Sequence, residues 1–253
     1  MDATDRVSQS WIQPQWPAPL SVRAVCTVRH GSGASMAPYG DFNLADHVGD
    51  DPAAVLANRR RFEASLCARP VFMSQVHGSA VVPLHAVTPD GIEGDACFTS
   101  RRGLACTIQV ADCLPVLLCD VAGTVVGAAH AGWRGLAAGV LSAAAAALGQ
   151  GERLAWLGPC IGPEAFEVGP EVRAAFLEGD PGCAPLFVPY GAAKFLADLP
   201  ALARRSLVHA GVRHIFGNDG SRGWCTVANP ERFYSYRRDG RTGRFAASIW
   251  IER

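Results

Sequence analysis

The sequence predicts a single α/β (or α+β) domain in which mixed β-sheets are flanked by helices. Three stretches between residues 103 and 130, GLACTIQV, PVLLCD and GTVVGAAH, are rich in apolar and β-branched residues, as is typical of buried strands. Helical patterns are interleaved with the strands irregularly, without strict βαβ order. No repeat or interdomain linker divides the chain. We therefore expect one domain over residues 20–253, preceded by a loosely attached, proline-rich arm over residues 1–19.

The first half of the chain is predicted to contain a strand, a helix and two short strands. VRAVCTV, at 22–28, predicts the first strand. Asp51 suits the N-cap and Pro52 the first turn of a helix over DDPAAVLANRRRFEASL, in which apolar residues recur at helical spacing. VFMSQV and AVVPL predict two short strands, with His77 and Gly78 at the turn between them.

After the three central strands, the second half is predicted to contain three helices and further strands. LAAGVLSAAAAAL, at 136–148, predicts one continuous helix. LAWLG, at 154–158, predicts a strand that leads into a structured loop, PCIGPEAFEVG. PEVRAAFLEG and DLPALARRSLVHAG predict helices, and GRFAASIWI predicts the final strand. Tyr234 and Tyr236 alternate on an expected short strand, so one should face a pocket and the other the core.

Composition argues against a nucleic-acid or membrane partner. The 23 basic and 23 acidic residues give a formal net charge of +0, so the chain has no basic field for nucleic acid or an anionic membrane surface. The longest apolar stretch, Leu114–Ala129, is interrupted by Asp120 and is too short to span a bilayer. The 9 cysteines include no C-x-x-C pair. With no recognisable export signal, they indicate reduced thiols and a soluble, cytoplasmic protein.

Three potential metal ligands, His77, Cys113 and His130, lie where predicted strands end in loops. Catalytic zinc takes three ligands from His, Cys, Asp or Glu and keeps one position open. Glycines beside both histidines, in HG and HAGWRG, leave space for a ligand close to the backbone. The spacing forms no local chelating motif. The residues alone therefore leave two interpretations open for each position: a metal ligand, or an ordinary buried thiol or hydrogen-bonded histidine.

Several motifs, in this order, resemble those of the YfiH-like family: QVHG, ADCLP, AAHAGWRG, LGPCIGP and YSYRRDGRTGR. The resemblance covers roughly residues 20–252. Members of that family have been described as laccase-like polyphenol oxidases, purine nucleoside phosphorylases and peptidoglycan editing factors. The resemblance implies a YfiH-like fold in which His77, Cys113 and His130 are catalytic and bind zinc.

The resemblance also implies roles for polar residues around these ligands. We expect Asn43, Arg59, Asp95 and Arg237 to bind substrate, and Arg237 to take part in catalysis as well. The planar, permanently charged guanidinium group suits phosphate or carboxylate. Two interpretations of Asp95 remain open, a pocket carboxylate or a residue that fixes a loop. Asp112 either orients a ligand or water, or caps the end of a strand.

The function that the resemblance implies, and that we expect, is that of a zinc-dependent purine nucleoside phosphorylase. The resemblance implies phosphorolysis of adenosine, inosine and 5′-methylthioadenosine, together with deamination of adenosine. The implied cofactor is zinc, with copper possible in vitro. The expected partners are a small nucleoside and phosphate, with no nucleic acid and no membrane, and the expected state is a monomer.

Other functions remain as alternatives. An amidase that edits a peptidoglycan precursor would use the same site, because activated water beside an oxyanion donor also cleaves amides. A laccase-like copper oxidase is disfavoured, since the chain has 7 histidines and no H-x-H pair. A metal-free hydrolase with Cys113 as nucleophile and a non-enzymatic binding module also remain open.

Overall fold

A computed structural model describes residues 11–253, which form three β-sheets and flanking helices. The strands are β1 Val22–Cys26, β2 Arg69–Phe72, β3 Val81–Pro83, β4 Ala96–Thr99, β5 Leu104–Val110, β6 Leu114–Asp120, β7 Val126–Ala131, β8 Arg153–Leu157, β9 Glu167–Val168, β10 Phe187–Tyr190, β11 Lys194–Ala197, β12 His214–Gly217 and β13 Phe245–Ile251. The α-helices are α1 Pro52–Leu66, α2 Trp133–Ala137, α3 Val140–Ala147, α4 Pro170–Gly179, α5 Leu199–His209 and α6 Tyr236–Asp239. Two 3-10 helices span Pro181–Leu186 and Arg222–Trp224. The mixed α/β domain predicted from the sequence is confirmed.

The sheets mix parallel and antiparallel pairing. The four-stranded sheet has the order β1-β13-β5-β2, and only the β2–β5 pair is parallel. The six-stranded sheet has the order β12-β8-β6-β7-β4-β3, with parallel pairs at its two edges and antiparallel pairs between them. The third sheet, β10-β11-β9, is antiparallel.

The six-stranded sheet is the middle layer, which explains why its central strands are apolar throughout. In β6, Leu117 and Cys119 pack in one core cluster with residues of the four-stranded sheet. Their neighbours Val116 and Leu118 pack in a second cluster with residues of α3, α4 and α5. Successive side chains of a strand point to opposite faces, so both faces of this sheet are buried.

The boundaries of two predicted elements were wrong. The helix expected over 136–148 is two helices, because Gly139 has φ 86°, a left-handed conformation that ends α2 and that glycine adopts without steric cost. The segment with Tyr234 and Tyr236 is not a strand, since Tyr236 begins the one-turn helix α6. Helix α1 is confirmed together with its N-cap, where the Asp51 side chain accepts a hydrogen bond from the Ala53 amide.

Part of the expected N-terminal arm is firmly held. Residues 1–10 lie outside the described residues. Trp11 is buried, with its ring centroid 5.4 Å from that of Phe42 and 5.5 Å from that of Phe62. Ile12 exchanges backbone hydrogen bonds of 2.8 and 2.9 Å with Cys26. At these two positions the chain is therefore part of the packed domain, unlike the loose attachment expected from its composition.

Among residues 11–253 there is neither a candidate membrane-spanning helix nor a disulfide bond. Across residues 11–253, no helix combines the length and apolar character needed to cross a membrane. The nine cysteines, all within the described residues, are free thiols.

Candidate metal centre

Three separate segments bring His77, Cys113 and His130 together. Cys113 directly precedes β6 and His130 lies near the end of β7. These strands are antiparallel neighbours with Pro115 opposite His130. His77 comes from the loop between β2 and β3. The ligand atoms of the three residues lie within 4.8 Å of one another, and Cys113 Sγ is 3.8 Å from His77 Nε2. The convergence predicted from the sequence is confirmed.

Gln75 holds the His77 loop against the four-stranded sheet. Its side-chain amide donates to the Gln109 carbonyl (2.8 Å), and its Oε1 accepts from the Gln109 amide (2.9 Å). Gln109 belongs to β5, so these two bonds connect the loop to a fully buried strand. The position of His77 therefore depends on the core of the domain.

Asp95 orients both histidines. Its fully buried carboxylate accepts backbone hydrogen bonds from Val76 (3.2 Å), His77 (2.9 Å) and Gly78 (2.7 Å). The same carboxylate lies 2.8 Å from His130 Nδ1. This contact favours a proton on Nδ1 and leaves Nε2 for a ligand, as in carboxylate–histidine–metal arrangements. The expected role of Asp95 in binding substrate is therefore corrected: with its oxygens bound to these groups, it is a positioning residue that fixes the loop.

The backbone around the three ligands is unusual in ways that create space for an ion. His77 has φ 62° and Asp112 has φ 94°, values in the left-handed region that non-glycine residues seldom adopt. A Cβ atom on Gly132 would lie 2.9 Å from His77 Cδ2 and 3.0 Å from Cys113 Sγ. Only glycine at this position avoids those contacts, so the HAGWRG motif keeps room beside the two ligands.

The charges of Cys113 and His130 depend on each other. Burial raises the pKa of the Cys113 thiol, but the charge of His130 and hydrogen bonds from both histidines outweigh it, and the net pKa falls to about 6. Burial lowers the pKa of His130, but Cys113 and Asp95 more than offset this and raise it to about 9. These protein groups alone therefore favour a thiolate beside an imidazolium near neutral pH. The thiolate is the form of cysteine that binds metals.

The three residues line a cavity of about 510 Å³, which is within the size range of small-molecule sites. The other lining residues are His47, Gln75, Gln109, Val110, Ala111, Asp112, Trp133, Ile161, Phe166, Leu199, Tyr236, Arg237 and Arg244. Tyr236 lies in this lining, whereas Tyr234 is fully buried. The prediction that one tyrosine faces the pocket and the other the core is therefore confirmed. Arg237, expected to bind substrate, also lies in the lining.

Asp112 connects the Cys113 strand to the helix that carries Arg237. One carboxylate oxygen accepts a hydrogen bond from Thr226 Oγ1 (2.6 Å) and the other accepts from the Arg237 amide (2.6 Å). The Asp112 carbonyl accepts from the Ile161 amide at 2.9 Å. Asp112 therefore positions neighbouring segments of the cavity wall.

Asn43, expected to bind substrate, is fully buried and bonded within the protein. Its amide group donates to the Ala45 carbonyl and to Asp50 Oδ2, both at 2.9 Å. Its Oδ1 accepts from the amides of Ala45 (3.0 Å) and Arg244 (2.8 Å). The prediction is corrected, because these four bonds use the polar atoms of the side chain.

Arg59 lies outside the cavity lining, so its expected role in binding substrate is also corrected. Its Nε donates to the Leu44 carbonyl at 2.8 Å, and its guanidinium pairs with Asp46 at 3.0 Å. The same group lies over the Phe72 ring, 4.2 Å from the centroid. These contacts hold the loop before α1 against the sheet.

The cavity contains functional candidates that the sequence reasoning missed. The aromatic residues Trp133 and Phe166 provide apolar surface, and Arg244 provides a second positive charge in the same cavity as Arg237. One signal could have indicated Arg244: it directly precedes the final strand. The same signal had indicated the three metal ligands, which also lie at the ends of predicted strands.

The fold and the site together define the class of protein. It is a mixed α/β domain with a His-Cys-His cluster that could hold one metal ion, in a cavity that two arginines also line. Residues 23–252 match the family described as multi-copper polyphenol oxidoreductase laccase. The chain belongs to this family.

Named relatives and solved structures agree with this assignment. The chain is 50% identical over 246 residues to a Pseudomonas aeruginosa protein named purine nucleoside phosphorylase, covering 96% of this chain and 99% of that protein. It is 47% identical over 244 residues to the Escherichia coli purine nucleoside phosphorylase YfiH, with 95% and 98% covered. A Neisseria meningitidis crystal structure matches with a TM-score of 0.90 and 44% identity, covering 96% of this chain and 100% of that one. The resemblance identified from the sequence motifs is confirmed.

Proposed function

We propose that this protein is a zinc-dependent purine nucleoside phosphorylase that acts on adenosine, inosine and 5′-methylthioadenosine and also deaminates adenosine. One observation carries the proposal: His77, Cys113 and His130 converge in the wall of a cavity that also presents Arg237. The names of the relatives support the phosphorylase activity. The proposal includes a cytoplasmic monomer that uses a free nucleoside and phosphate.

The donor set fits zinc. Two imidazoles and one thiolate are ligands that zinc prefers, and three protein ligands leave a position open, as in catalytic sites. The space beside Gly132 and the orientation of His130 by Asp95 support the same choice. When bound there, zinc would supply a Lewis acid beside the substrate.

Copper would occupy this site only as a substitute in vitro. Multicopper chemistry needs several histidine-rich centres. Among residues 11–253, the one group of three or more His, Cys, Asp or Glu with suitably close ligand atoms is the His-Cys-His cluster. The ligand count therefore favours a mononuclear site over that of a multicopper oxidase.

The two nucleoside reactions make different demands on the cavity. Phosphorolysis breaks the bond between C1′ and the purine nitrogen and forms a bond between C1′ and a phosphate oxygen, so phosphate must be held beside the sugar. Deamination replaces the amino group on C6 of adenine by oxygen from water and needs no phosphate. Arg237 suits the first demand, because a guanidinium binds phosphate through charge-assisted hydrogen bonds. Trp133 and Phe166 offer surfaces against which a purine can pack.

Arg237→Ala is expected to impair phosphorolysis far more than deamination. A hydrogen bond to a charged group contributes about 1.5–3 kcal/mol, so kcat/KM for phosphate should fall about 10- to 100-fold. Deamination measured without phosphate should stay within about twofold, since that reaction binds no anion. Arg60→Ala, on the exposed side of α1, is the matched control and should change neither rate. Equal losses in both reactions of Arg237→Ala would contradict this role.

Zinc binding is expected to release protons and to tighten as pH rises. Near pH 7.5, Cys113, with a pKa of about 6, is mostly deprotonated, whereas His130, with a pKa of about 9, still holds the proton that an ion must displace. This pair should release about one proton per ion, and zinc affinity should increase with pH up to about 9. Calorimetry in buffers of different ionisation enthalpy measures both quantities. An affinity independent of pH between about 6 and 9 would refute the assignment of these ligands.

Product analysis separates the proposed function from its alternatives. Purified, zinc-loaded protein is incubated with adenosine, with and without phosphate. We expect adenine and ribose 1-phosphate only when phosphate is present, and inosine in both cases. If neither nucleoside reaction occurs and the protein cleaves a peptidoglycan precursor, the function is that of an editing amidase. Full activity after removal of the metal would instead identify Cys113 as the nucleophile of a hydrolase.

A further inference from the structure

We propose that Arg244 is a second binding residue for inorganic phosphate and that it acts together with Arg237 from another wall of the same cavity. The inference rests on the proposed phosphorylase function and extends it. Arg237 lies on α6, whereas Arg244 directly precedes β13, so the two guanidinium groups come from separate elements. Together the two guanidinium groups carry two positive charges, which match the two negative charges of a phosphate dianion.

The backbone of Arg244 is fixed by buried hydrogen bonds. Its amide donates to Asn43 Oδ1 at 2.8 Å, and its carbonyl accepts from the Leu44 amide at 3.2 Å. Asn43 is fully buried and has no free polar atom, so it holds Arg244 in place without competing for a ligand. Asn43 therefore contributes to the site although it does not line the cavity, because it fixes the backbone of Arg244.

The guanidinium of Arg244 is partly held and partly free. One terminal nitrogen donates to the carbonyls of Thr242 (3.1 Å) and Gly243 (3.0 Å). These bonds restrain the half-buried side chain and leave Nε and the second terminal nitrogen for a ligand. Arg237 is similarly arranged, since one terminal nitrogen donates to the Glu167 carbonyl at 3.0 Å. Restraint of both side chains lowers the entropy that is lost when an anion binds.

The negative groups of the cavity that act on Arg244 are Cys113 and Asp112, and each already has other partners. The one carboxylate of the described lining is Asp112, and both of its oxygens accept hydrogen bonds, from Thr226 and from the Arg237 amide. By contrast, Arg59 pairs with Asp46 outside the cavity. Burial lowers the pKa of Arg244, although the charges of Cys113 and Asp112 oppose this. Because Cys113 faces the histidines and Asp112 is hydrogen-bonded to Thr226 and to the Arg237 amide, the half-buried guanidinium of Arg244 keeps donors from which an anion can accept hydrogen bonds.

Phosphate matches this site better than the nucleoside does. A nucleoside is uncharged and gains little from two arginines, whereas a phosphate dianion accepts bidentate hydrogen bonds from both. The same chemistry is present in the phosphoryl group of a nucleoside monophosphate. We assign the site to inorganic phosphate, because the proposed reaction consumes it in the cavity that holds the ligand cluster. Adenosine monophosphate is therefore the comparison ligand in the test.

The test compares Arg244→Gln, Arg244→Lys and the surface control Arg60→Gln in zinc-loaded protein. Calorimetry with inorganic phosphate measures binding directly, and the KM for phosphate measures it in phosphorolysis. Loss of one charge-assisted hydrogen bond should raise both constants about 10- to 100-fold in Arg244→Gln, and loss of two should raise them at least about 100-fold. In Arg244→Lys, which keeps the charge but loses the planar fork, the increase should be about 5- to 20-fold. The surface control Arg60→Gln should leave both constants, and deamination without phosphate, within about twofold of wild type.

Several results would overturn the inference. Unchanged phosphate binding in Arg244→Gln would do so, as would loss of adenosine monophosphate binding with inorganic phosphate unaffected. If Arg244→Gln fails to fold, Arg244→Lys decides, and an unchanged KM for phosphate in that variant refutes the role. The outcome is separable from the proposed function. Wild-type protein that binds phosphate through Arg244 without phosphorolysis would support the site and refute the phosphorylase. Phosphorolysis with an unchanged KM in Arg244→Gln would do the reverse.

Discussion

Cys113→Ala is expected to abolish high-affinity zinc binding and both nucleoside reactions together. Four-ligand structural zinc sites bind with about 10–16 kcal/mol, so one ligand contributes roughly 3 kcal/mol and its loss should weaken binding at least about 100-fold. The substitution also removes the negative charge of the thiolate, which attracts a cation to the site between the two imidazoles. Both reactions should fall to about 1% of wild type or lower, because they share the site. Mass spectrometry of the metal content and product assays on the same preparation measure these effects.

The matched control for this variant is Cys67→Ala. Cys67 is an exposed thiol at the end of α1 and lies outside the cavity lining, so its removal should change neither metal content nor activity. If Cys113→Ala kept a full complement of zinc, the assignment of the thiolate as a ligand would be wrong. If it lost one reaction and kept the other, the two activities would not share a centre.

Asp95→Ala is expected to destabilise the domain and to disorganise the metal site at once. The substitution removes a fully buried carboxylate that accepts bonds from three backbone amides and from His130. Removal of one partner of a buried charged pair costs about 3–5 kcal/mol. His130 also loses the group that fixes its tautomer, so zinc affinity should fall about 10- to 100-fold. Denaturant unfolding and zinc titration measure the two effects.

Asp95→Asn separates the two roles of this residue. The amide keeps the shape and one acceptor oxygen, but its NH2 group would face N–H donors that bind the other oxygen in the wild type. Only part of the stability should therefore return, and without the negative charge zinc affinity should stay reduced. Burial raises the pKa of Asp95, while His130 and the backbone amides lower it below its usual value as the net effect. The stability that the carboxylate contributes is therefore present above the unfolded-state pKa and is lost as pH falls through the folded-state value. Glu178→Gln, on the exposed side of α4, is the control. Wild-type stability and zinc affinity in Asp95→Ala would refute the positioning role.

Much of the fold could be predicted from residue patterns because burial determines them. The continuous apolar sequence of β6 indicates a strand buried on both faces, and Leu117 and Val116 do pack in different layers. The break at Gly139 was missed, since a single glycine within an alanine-rich stretch is compatible with a continuous helix. Its left-handed conformation depends on how α2 and α3 pack, and local sequence does not determine that.

The site was predictable in part for a similar reason. His77, Cys113 and His130 were identified because ligand residue types at strand ends, together with neighbouring glycines, have a chemical meaning. Asn43 and Arg59 were misassigned because whether a loop side chain points into a cavity or back to the chain depends on tertiary contacts. The hydrogen bonds of Asn43 to Asp50 and to the Arg244 amide join segments far apart in sequence, and no local pattern predicts them.

The most direct measurement is X-ray absorption spectroscopy at the metal edge of the purified, metal-loaded protein. Our account predicts zinc, with two nitrogen ligands at about 2.0–2.1 Å and one sulfur ligand at about 2.3 Å. In Cys113→Ala, measured with zinc in excess to offset its weaker binding, the sulfur signal should be absent, whereas it should remain in Cys67→Ala. A wild-type spectrum without sulfur, or one with a second metal nearby, would contradict a mononuclear centre formed by His77, Cys113 and His130.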